Sequence, residues 1–316
     1  MKSNILETLT LAVVAIALTA AGSAYAAAKT TKPVTEVNAT NVKTQYVNVN
    51  GVKFAYRRFG NKVGLPLLFT SYLTGTMDNV DPAVLDRLAK DREVIIFDNA
   101  GVAGSEGKTP DNIADMAKDA AAFIHAIGLQ KIDLLGFSIG GMVAQQLTLD
   151  HPELIRRLIL IGTGPRGGEG MQDYTPQVWA FFKKTYAQPD ELLLDTFFVP
   201  TETSQKAGKA YLTRIRARIG KDPQISDKVV PAQLSAIFAW GKKQENSYAY
   251  LKEIKQPVLV VSGDQDVIIP PVNSFILEQN LPNASLIIFP DSNHGVQYQY
   301  TKEFVAQATM FLDAVK

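Results

Sequence analysis

The chain has 316 residues, of which 46% are hydrophobic and 20% are charged, and its formal net charge at pH 7 is +1. This composition is typical of a globular protein with one domain plus an insertion, or with two domains. The near-neutral charge argues against nucleic acid or an anionic membrane as the main partner. Because the chain contains no cysteine, disulfides, thiolate metal sites and lipid-modified cysteines are excluded.

Residues 1–26 have the pattern of a signal peptide. Lys2 supplies a positive start, residues 9–18 form an apolar run, and residues 24–26 (Ala-Tyr-Ala) match the small-x-small cleavage signal. A retained membrane anchor is the alternative, but the strongly apolar part is short for a span. We therefore predict cleavage after Ala26 and export to a periplasm or the medium, with no stable membrane insertion afterwards.

Residues 27–43 are rich in Thr, Lys, Asn and Ala without periodicity, which predicts a solvated linker. Segments 45–49 and 52–57 then flank Asn50-Gly51, the signature of a type I′ hairpin. Beyond the hairpin, short apolar strands alternate with helical patterns, which indicates a parallel sheet covered on both faces. The predicted strands are 66–70, 94–97, 132–137 and 157–161, and the predicted helices between them are 81–90, 113–127 and the helix that begins near 142.

From 165 to 250 the alternation stops, and the pattern becomes helical and rich in aromatic residues. We predict a helical cap there, inserted between sheet strands and lying over their C-terminal edge, where it would cover a site. The alternative is that its aromatic residues only form a core of their own. The sheet resumes at 257–262 and 284–289, so the predicted core comprises 44–164 and 251–316. The expected fold class is α/β, a mostly parallel, doubly wound sheet with a helical cap.

A Gly-x-Ser-x-Gly pentapeptide stands between a predicted strand and a predicted helix, with Ser138 at its centre. This context is typical of a nucleophile elbow, a sharp turn that lifts a serine hydroxyl clear of the sheet. Gly136 and Gly140 suit the turn because strand and helix approach closely there and a Cβ would collide. Ser138 is therefore the predicted nucleophile.

A serine hydroxyl needs a base, and the chain has three histidines. His125 lies inside a predicted helix, and His151 ends the helix that follows Ser138. His294 follows the last predicted strand, and in a parallel sheet that loop shares the strand C-terminal edge with Ser138. His294 is the predicted base.

Two carboxylates compete for the acid that orients the base. Asp264 comes straight off a predicted strand, where an aspartate often caps backbone N–H groups in a turn. Asp266 lies deeper in the same loop and is preferred, on the chain order Ser…Asp…His. Its role would be to hold the histidine tautomer and to stabilise the imidazolium.

From about residue 45 to 315 the chain resembles the α/β-hydrolase superfamily. The resemblance rests on Gly-Phe-Ser-Ile-Gly-Gly at 136–141, Gly-x-x-Asp-x-x-x-Pro at 263–270 and Asn-His-Gly at 293–295. The Gly-Phe-Ser elbow and the helical cap are most similar to the cofactor-free haloperoxidase/esterase branch. The resemblance implies that the backbone N–H groups of Leu73 and Ile139 form the oxyanion hole.

The oxyanion loop departs from the family pattern. Members usually carry His-Gly after the third strand, whereas this chain has Thr-Ser-Tyr-Leu-Thr-Gly at 70–75. Backbone N–H groups bind an oxyanion, so the chemistry tolerates the change. Tyr72 either donates a hydrogen bond or, as we expect, packs beneath the cap.

One other motif invites a different function. Residues 162–167 match the Gly-x-Gly-x-x-Gly pattern of dinucleotide-binding loops. Such a loop must open directly into a helix, and Pro165 disfavours a helix at this point. We interpret the segment as a hinge into the cap. No cluster of His and carboxylates has metal-ligand spacing, so neither a metal nor an organic cofactor is expected.

These residues predict an exported serine hydrolase of the carboxylesterase class that acts on a small or medium ester. The aromatic cap suggests an apolar acyl or aryl substrate, and the predicted pocket residues are Tyr72, Phe137, Trp179 and Phe182. The same triad also supports perhydrolysis, lactone opening, C–C bond hydrolysis or a lyase reaction, and the fold does not choose among them. A ligand-binding or sensor protein with a relict triad is the alternative from another class.

Overall fold

The computed structural model describes residues 37–314, so the predicted signal peptide and part of the predicted linker lie outside the described residues. The strands are β1 (Gln45–Val49), β2 (Val52–Gly60), β3 (Leu67–Thr70), β4 (Glu93–Phe97), β5 (Ile132–Phe137), β6 (Ile155–Ile161), β7 (Val258–Gly263) and β8 (Ala284–Phe289). They form one eight-stranded sheet in the order β1-β2-β4-β3-β5-β6-β7-β8.

The sheet is antiparallel only at its first edge, where β1 pairs with β2 and β2 pairs with β4. The hairpin turn has positive φ at both central residues, 52° at Asn50 and 88° at Gly51, as a type I′ turn requires. From β4 through β8 every pairing is parallel. The predicted hairpin and the mostly parallel sheet are confirmed.

Helices cover both faces of the sheet. They are α1 (Pro82–Leu88), α2 (Ile113–Ala126), α3 (Ile139–Asp150), α4 (Pro176–Lys183), α5 (Leu192–Phe197), α6 (Glu202–Arg216), α7 (Val229–Gly241), α8 (Val272–Asn280), α9 (Val296–Gln299) and α10 (Thr301–Asp313). Side chains of a strand alternate between faces, so Leu134 packs in the core beneath α2 and α3, whereas Leu135 packs in the core beneath α1 and α10. Two cores on two faces make the sheet doubly wound, as predicted.

Helices α4 to α7 follow β6 and precede β7, all within the segment predicted as the cap. Among the contacts of the insertion with the rest of the fold, α7 packs on α2 and α3, and α6 packs on α1 and α9.

The described end of the predicted linker is not solvated throughout. Ala39 and Val42 are buried, and the guanidinium of Arg218 donates to both of their carbonyl oxygens. The linker prediction is wrong for these residues, because two apolar side chains and a cation at the end of α6 hold them against the fold. Within residues 37–314, no helix has the length and hydropathy needed to cross a bilayer.

Candidate active site

Ser138 stands between β5 and α3 in a strained backbone conformation, with φ of 58° and ψ of −124°. A positive φ is rare for a residue with a side chain and is common at functional turns. The neighbouring glycines permit it, since a Cβ on Gly140 would lie 2.2 Å from the Thr70 carbonyl oxygen and one on Gly136 would lie 2.5 Å from the Gly140 carbonyl oxygen. The predicted elbow geometry is present.

His294 follows β8 and contacts the loop that follows β7. Its Nδ1 lies 2.8 Å from Oδ2 of Asp266, and both side chains are buried. The other carboxylate oxygen, Oδ1, accepts the backbone N–H groups of Ile268 and Ile269, each at 2.9 Å. Because a carboxylate only accepts hydrogen bonds, the Nδ1 proton points at Asp266 and leaves Nε2 as the free base.

The competing candidates have other partners. Asp264 Oδ1 accepts the backbone N–H of Ser292 at 3.2 Å, which is the turn-capping role considered for it. His125 and His151 pair with each other across the surface, with ring centroids 6.5 Å apart. The structure therefore brings His294 together with Asp266 and leaves these three residues outside the site.

The imidazole of His294 is held by packing as well as by its hydrogen bond. The ring of Phe137 lies 4.9 Å from the imidazole, centroid to centroid, and that of Phe197 lies 5.9 Å away. On the third side is Gly162, with φ of 49°, where an added Cβ would come 3.1 Å from Nδ1. The first glycine of the dinucleotide-like motif thus makes room for the histidine.

The loop after β3 brings a second set of groups to the site. A turn closes from the N–H of Gly75 to the carbonyl of Tyr72 at 2.8 Å, and Thr74 takes a positive φ of 65°. Among the described residues, the N–H groups of Leu73 and Ile139 have no hydrogen-bond acceptor. Both are therefore free to donate to a ligand.

Gln233 is a residue of this site that the sequence did not reveal. Its Oε1 accepts the backbone N–H of Thr74 at 2.7 Å, directly beside Leu73. The side chain is fully buried, and its Nε2 has no partner within the described residues. The one signal that could have indicated it is that this polar residue lies on the same face of α7 as Val229 and Ala236.

Ser138 and His294 line one cavity, and the insertion covers it. The volume of the cavity is about 40 Å³. Half of its twelve lining residues come from the insertion: Tyr174, Phe182, Leu192, Leu193, Thr196 and Phe197. The wall is mostly apolar, as in small-molecule sites.

The four predicted pocket residues divide into two pairs. Tyr72 and Phe182 line the cavity, but Phe137 and Trp179 do not. Phe137 precedes Ser138 on β5, and since strand side chains alternate, its ring points beneath His294. Trp179 lies one position beyond Val178 on α4, so its indole turns away, packs on Tyr174 and donates to Asp173 at 3.0 Å.

Tyr72 packs beneath the insertion, as expected. Its ring lies 5.0 Å from that of Phe197 and 5.3 Å from that of Phe137, centroid to centroid. Burial raises the pKa of the Tyr72 hydroxyl well above its usual value, so the phenol is neutral at physiological pH. Within residues 37–314, no group of three or more His, Asp or Glu side chains is placed to hold a metal ion.

A sequence model of the protein family described as 'alpha/beta hydrolase fold' matches residues 66–300 of this chain. The chain belongs to the α/β-hydrolase family. The predicted superfamily is thereby confirmed, and the protein is an enzyme of the hydrolase class in general.

Relatives of this α/β hydrolase carry several activities in their names. The poly(3-hydroxyalkanoate) depolymerase of Ectopseudomonas oleovorans is 30% identical over 72% of this chain and 77% of its own. The 2-hydroxy-6-oxo-6-phenylhexa-2,4-dienoate hydrolase of Burkholderia cepacia is 27% identical over 72% and 77%. Among solved structures, an alpha/beta hydrolase fold protein from Chitinophaga pinensis is 39% identical, covers 88% of this chain and 100% of its own, and has a TM-score of 0.83.

Proposed function

We propose that the protein is a serine hydrolase that cleaves a small or medium carboxylic ester through an acyl-enzyme at Ser138. One observation carries the proposal: the buried His294–Asp266 pair, at 2.8 Å, faces the same cavity as a serine on a strained turn. Nucleophilic catalysis requires a hydroxyl and an oriented imidazole that can deprotonate it, and both groups line this cavity.

In this mechanism, Nε2 of His294 takes the proton of Ser138 Oγ as the oxygen attacks the ester carbonyl. The resulting oxyanion accepts hydrogen bonds from the N–H groups of Leu73 and Ile139. His294 then gives its proton to the leaving alcohol, and the C–O bond breaks. A water molecule, deprotonated by the same histidine, attacks the acyl-enzyme; the bond to Ser138 Oγ breaks, His294 returns the proton to that oxygen, and the carboxylic acid leaves. Asp266 stabilises the imidazolium in both steps.

The cavity wall supports an apolar acyl group. Among the described residues that line it there is no Asp, Glu, Lys or Arg, and its polar side chains other than Ser138 and His294 end in the hydroxyls of Tyr72, Thr74, Tyr174 and Thr196. The relative from Burkholderia cepacia is named as the hydrolase of a dienoate, a substrate with a carboxylate. Without a cation in the wall to pair with such a group, ester hydrolysis is the better fit.

Export belongs to the proposal as well. It is supported by the positive start, apolar run and small-x-small signal of residues 1–26.

Intact mass after exposure to a fluorophosphonate tests the proposal, with Ser138→Ala and His294→Ala in parallel. We expect one adduct on the wild type, none on Ser138→Ala and strongly slowed labelling of His294→Ala. The same spectrum of the exported protein reports whether cleavage follows Ala26. Release rates from p-nitrophenyl acetate, butyrate, hexanoate and decanoate then define the acyl length.

An unlabelled wild type that is folded by circular dichroism and turns over no ester in the series would overturn the proposal. The non-catalytic binding protein with a relict triad would then be favoured. Turnover of lactones or C–C substrates in place of esters would keep the triad and change the reaction.

A further inference from the structure

A second cavity, larger than the catalytic one, lies where the insertion leaves the sheet. Its volume is about 390 Å³, against about 40 Å³ for the cavity at Ser138. It is bounded by the start of α2, by α3, by the end of α7 and by residues 244–250, and Arg166 lies in its wall. We propose that this cavity is a binding site for a monocarboxylate with a short apolar chain, held by the Arg166 guanidinium.

The guanidinium of Arg166 is fixed in place before any ligand arrives. It lies over the ring of Tyr250 at 4.4 Å and over that of Trp240 at 5.1 Å. Its Nη2 donates to Oε1 of Gln146 at 2.5 Å. Such stacking and hydrogen bonding remove rotamer freedom that binding would otherwise have to remove.

The two rings are themselves anchored. The Tyr250 hydroxyl accepts the backbone N–H of Arg166 at 3.0 Å and donates to Oε1 of Gln145 at 2.8 Å. The indole N–H of Trp240 donates to the carbonyl of Gly164 at 3.1 Å. The guanidinium therefore packs on two rings that are fixed in place. This is expected of a preformed binding site and not of a mobile arginine on the surface.

The charge of Arg166 is not neutralised by the protein. None of the ion pairs among the described residues includes it, and the same is true of Lys242 in the same wall. The one carboxylate of the wall is Glu245. Two cations and one carboxylate leave a net charge of +1, which matches a monoanion better than a dianionic phosphate.

A carboxylate fits the donors that remain. With one Nη2 hydrogen used by Gln146, the planar fork still offers a parallel pair of N–H groups, the geometry that a carboxylate accepts in a bidentate manner. In the same cavity, Ile113, Ala236 and Ala239 give the wall an apolar part. Hexanoate combines both features and serves as the probe.

The two tryptophans of the chain report on the two cavities separately. Trp240 lines the second cavity, whereas Trp179 packs against Tyr174 and Phe182 of the catalytic cavity. Hexanoate is titrated into ¹⁵N-labelled protein at constant ionic strength while the two indole N–H resonances are followed. We expect a saturable shift of the Trp240 resonance, on a curve independent of any shift at Trp179, and no such shift with hexanol.

Three variants decide whether Arg166 is responsible. Arg166→Gln is expected to weaken hexanoate binding about 10-fold or more, the effect of losing a hydrogen bond to a charged group. Arg166→Lys, which keeps the charge and loses the fork, should fall between Arg166→Gln and the wild type. Lys243→Gln removes a neighbouring cation that is paired with Glu169, and it should leave the affinity unchanged.

The proposal is overturned if the Trp240 shift does not saturate, if hexanol reproduces it, or if Arg166→Gln binds as tightly as the wild type. A two-dimensional spectrum of each variant checks that the fold is kept, and Arg166→Lys decides the question if Arg166→Gln does not fold. None of these outcomes depends on chemistry at Ser138.

Discussion

The proposed nucleophile elbow and the proposed oxyanion loop face the same cavity, yet different interactions hold them. The elbow at Ser138 lies within the core, where Gly136 and Gly140 let strand, helix and the neighbouring backbone pack in direct contact. The oxyanion loop, residues 71–76, is held by hydrogen bonds that backbone N–H groups in the loop and directly after it donate to side chains of other segments.

Two side chains anchor the loop, one at a residue within it and the other at the residue directly after it. Gln233 of the insertion accepts the N–H of Thr74 on one side, and Asp98, which follows β4, accepts the N–H of Met77 at 2.9 Å on the other. The elbow is thus a product of the sheet itself, while the loop depends on the insertion and on a buried carboxylate. We infer that changes in the insertion alter stabilisation of the transition state while the nucleophile keeps its position.

The largest expected effect lies on the elbow side of this comparison. Asp266→Asn keeps the shape of the side chain but presents an amide in place of a carboxylate, which favours the wrong histidine tautomer. We expect kcat for ester hydrolysis to fall about 10⁴-fold, as in related triads. The matched control is Asp264→Asn, which removes the turn-capping carboxylate and should stay within about 10-fold of the wild type. Equal losses in the two variants would contradict the assignment of Asp266.

The next effect concerns the loop side and depends on pH. Burial raises the pKa of Asp98 to about 7. The backbone N–H groups of Met77 and Gly104 and the charge of Arg57 lower this pKa, but burial has the larger effect. Since the folded pKa exceeds the unfolded value of about 3.9, the folded state holds an extra proton between the two. The contribution of Asp98 to the unfolding free energy should therefore fall as pH rises from about 4 to about 7, by up to about 4 kcal/mol in total.

Urea unfolding at several pH values, with Asp98→Asn beside the wild type, measures this contribution. The difference in unfolding free energy between wild type and variant should decrease steadily over that range and level off above it. Asp91→Asn, at an exposed position, is the control for removing a carboxylate. A difference that does not change with pH would show that Asp98 is not the titrating anchor.

The smallest of the three effects tests the insertion. Gln233→Leu removes the acceptor for Thr74 N–H, so Leu73 N–H is less well oriented towards the oxyanion. We expect kcat to fall about 10- to 100-fold, less than the loss of an oxyanion donor itself, with KM changed by less than about threefold. Gln233→Glu keeps a carbonyl acceptor and should recover part of kcat. A loss confined to KM, or no recovery with glutamate, would mean that Gln233 only packs.

The same contrast explains what the sequence could predict. The elbow, the hairpin and the strands follow from local patterns, since each depends on residues close together in the chain. Gln233 lies 159 positions from Thr74, and no local pattern connects an amide in one helix with a loop after a distant strand. The errors at Phe137 and Trp179 arose because an aromatic composition does not specify which way a side chain points.

The conformation of Ser138 has a consequence for how this protein tolerates change. A φ of 58° with ψ of −124° is open to glycine and unfavourable for serine, at a cost of about 1 to 3 kcal/mol. Selection for stability alone would therefore replace the residue on which the proposed chemistry depends. On this backbone, the most stable sequence at position 138 is an inactive one, and only a requirement for activity keeps a hydroxyl there.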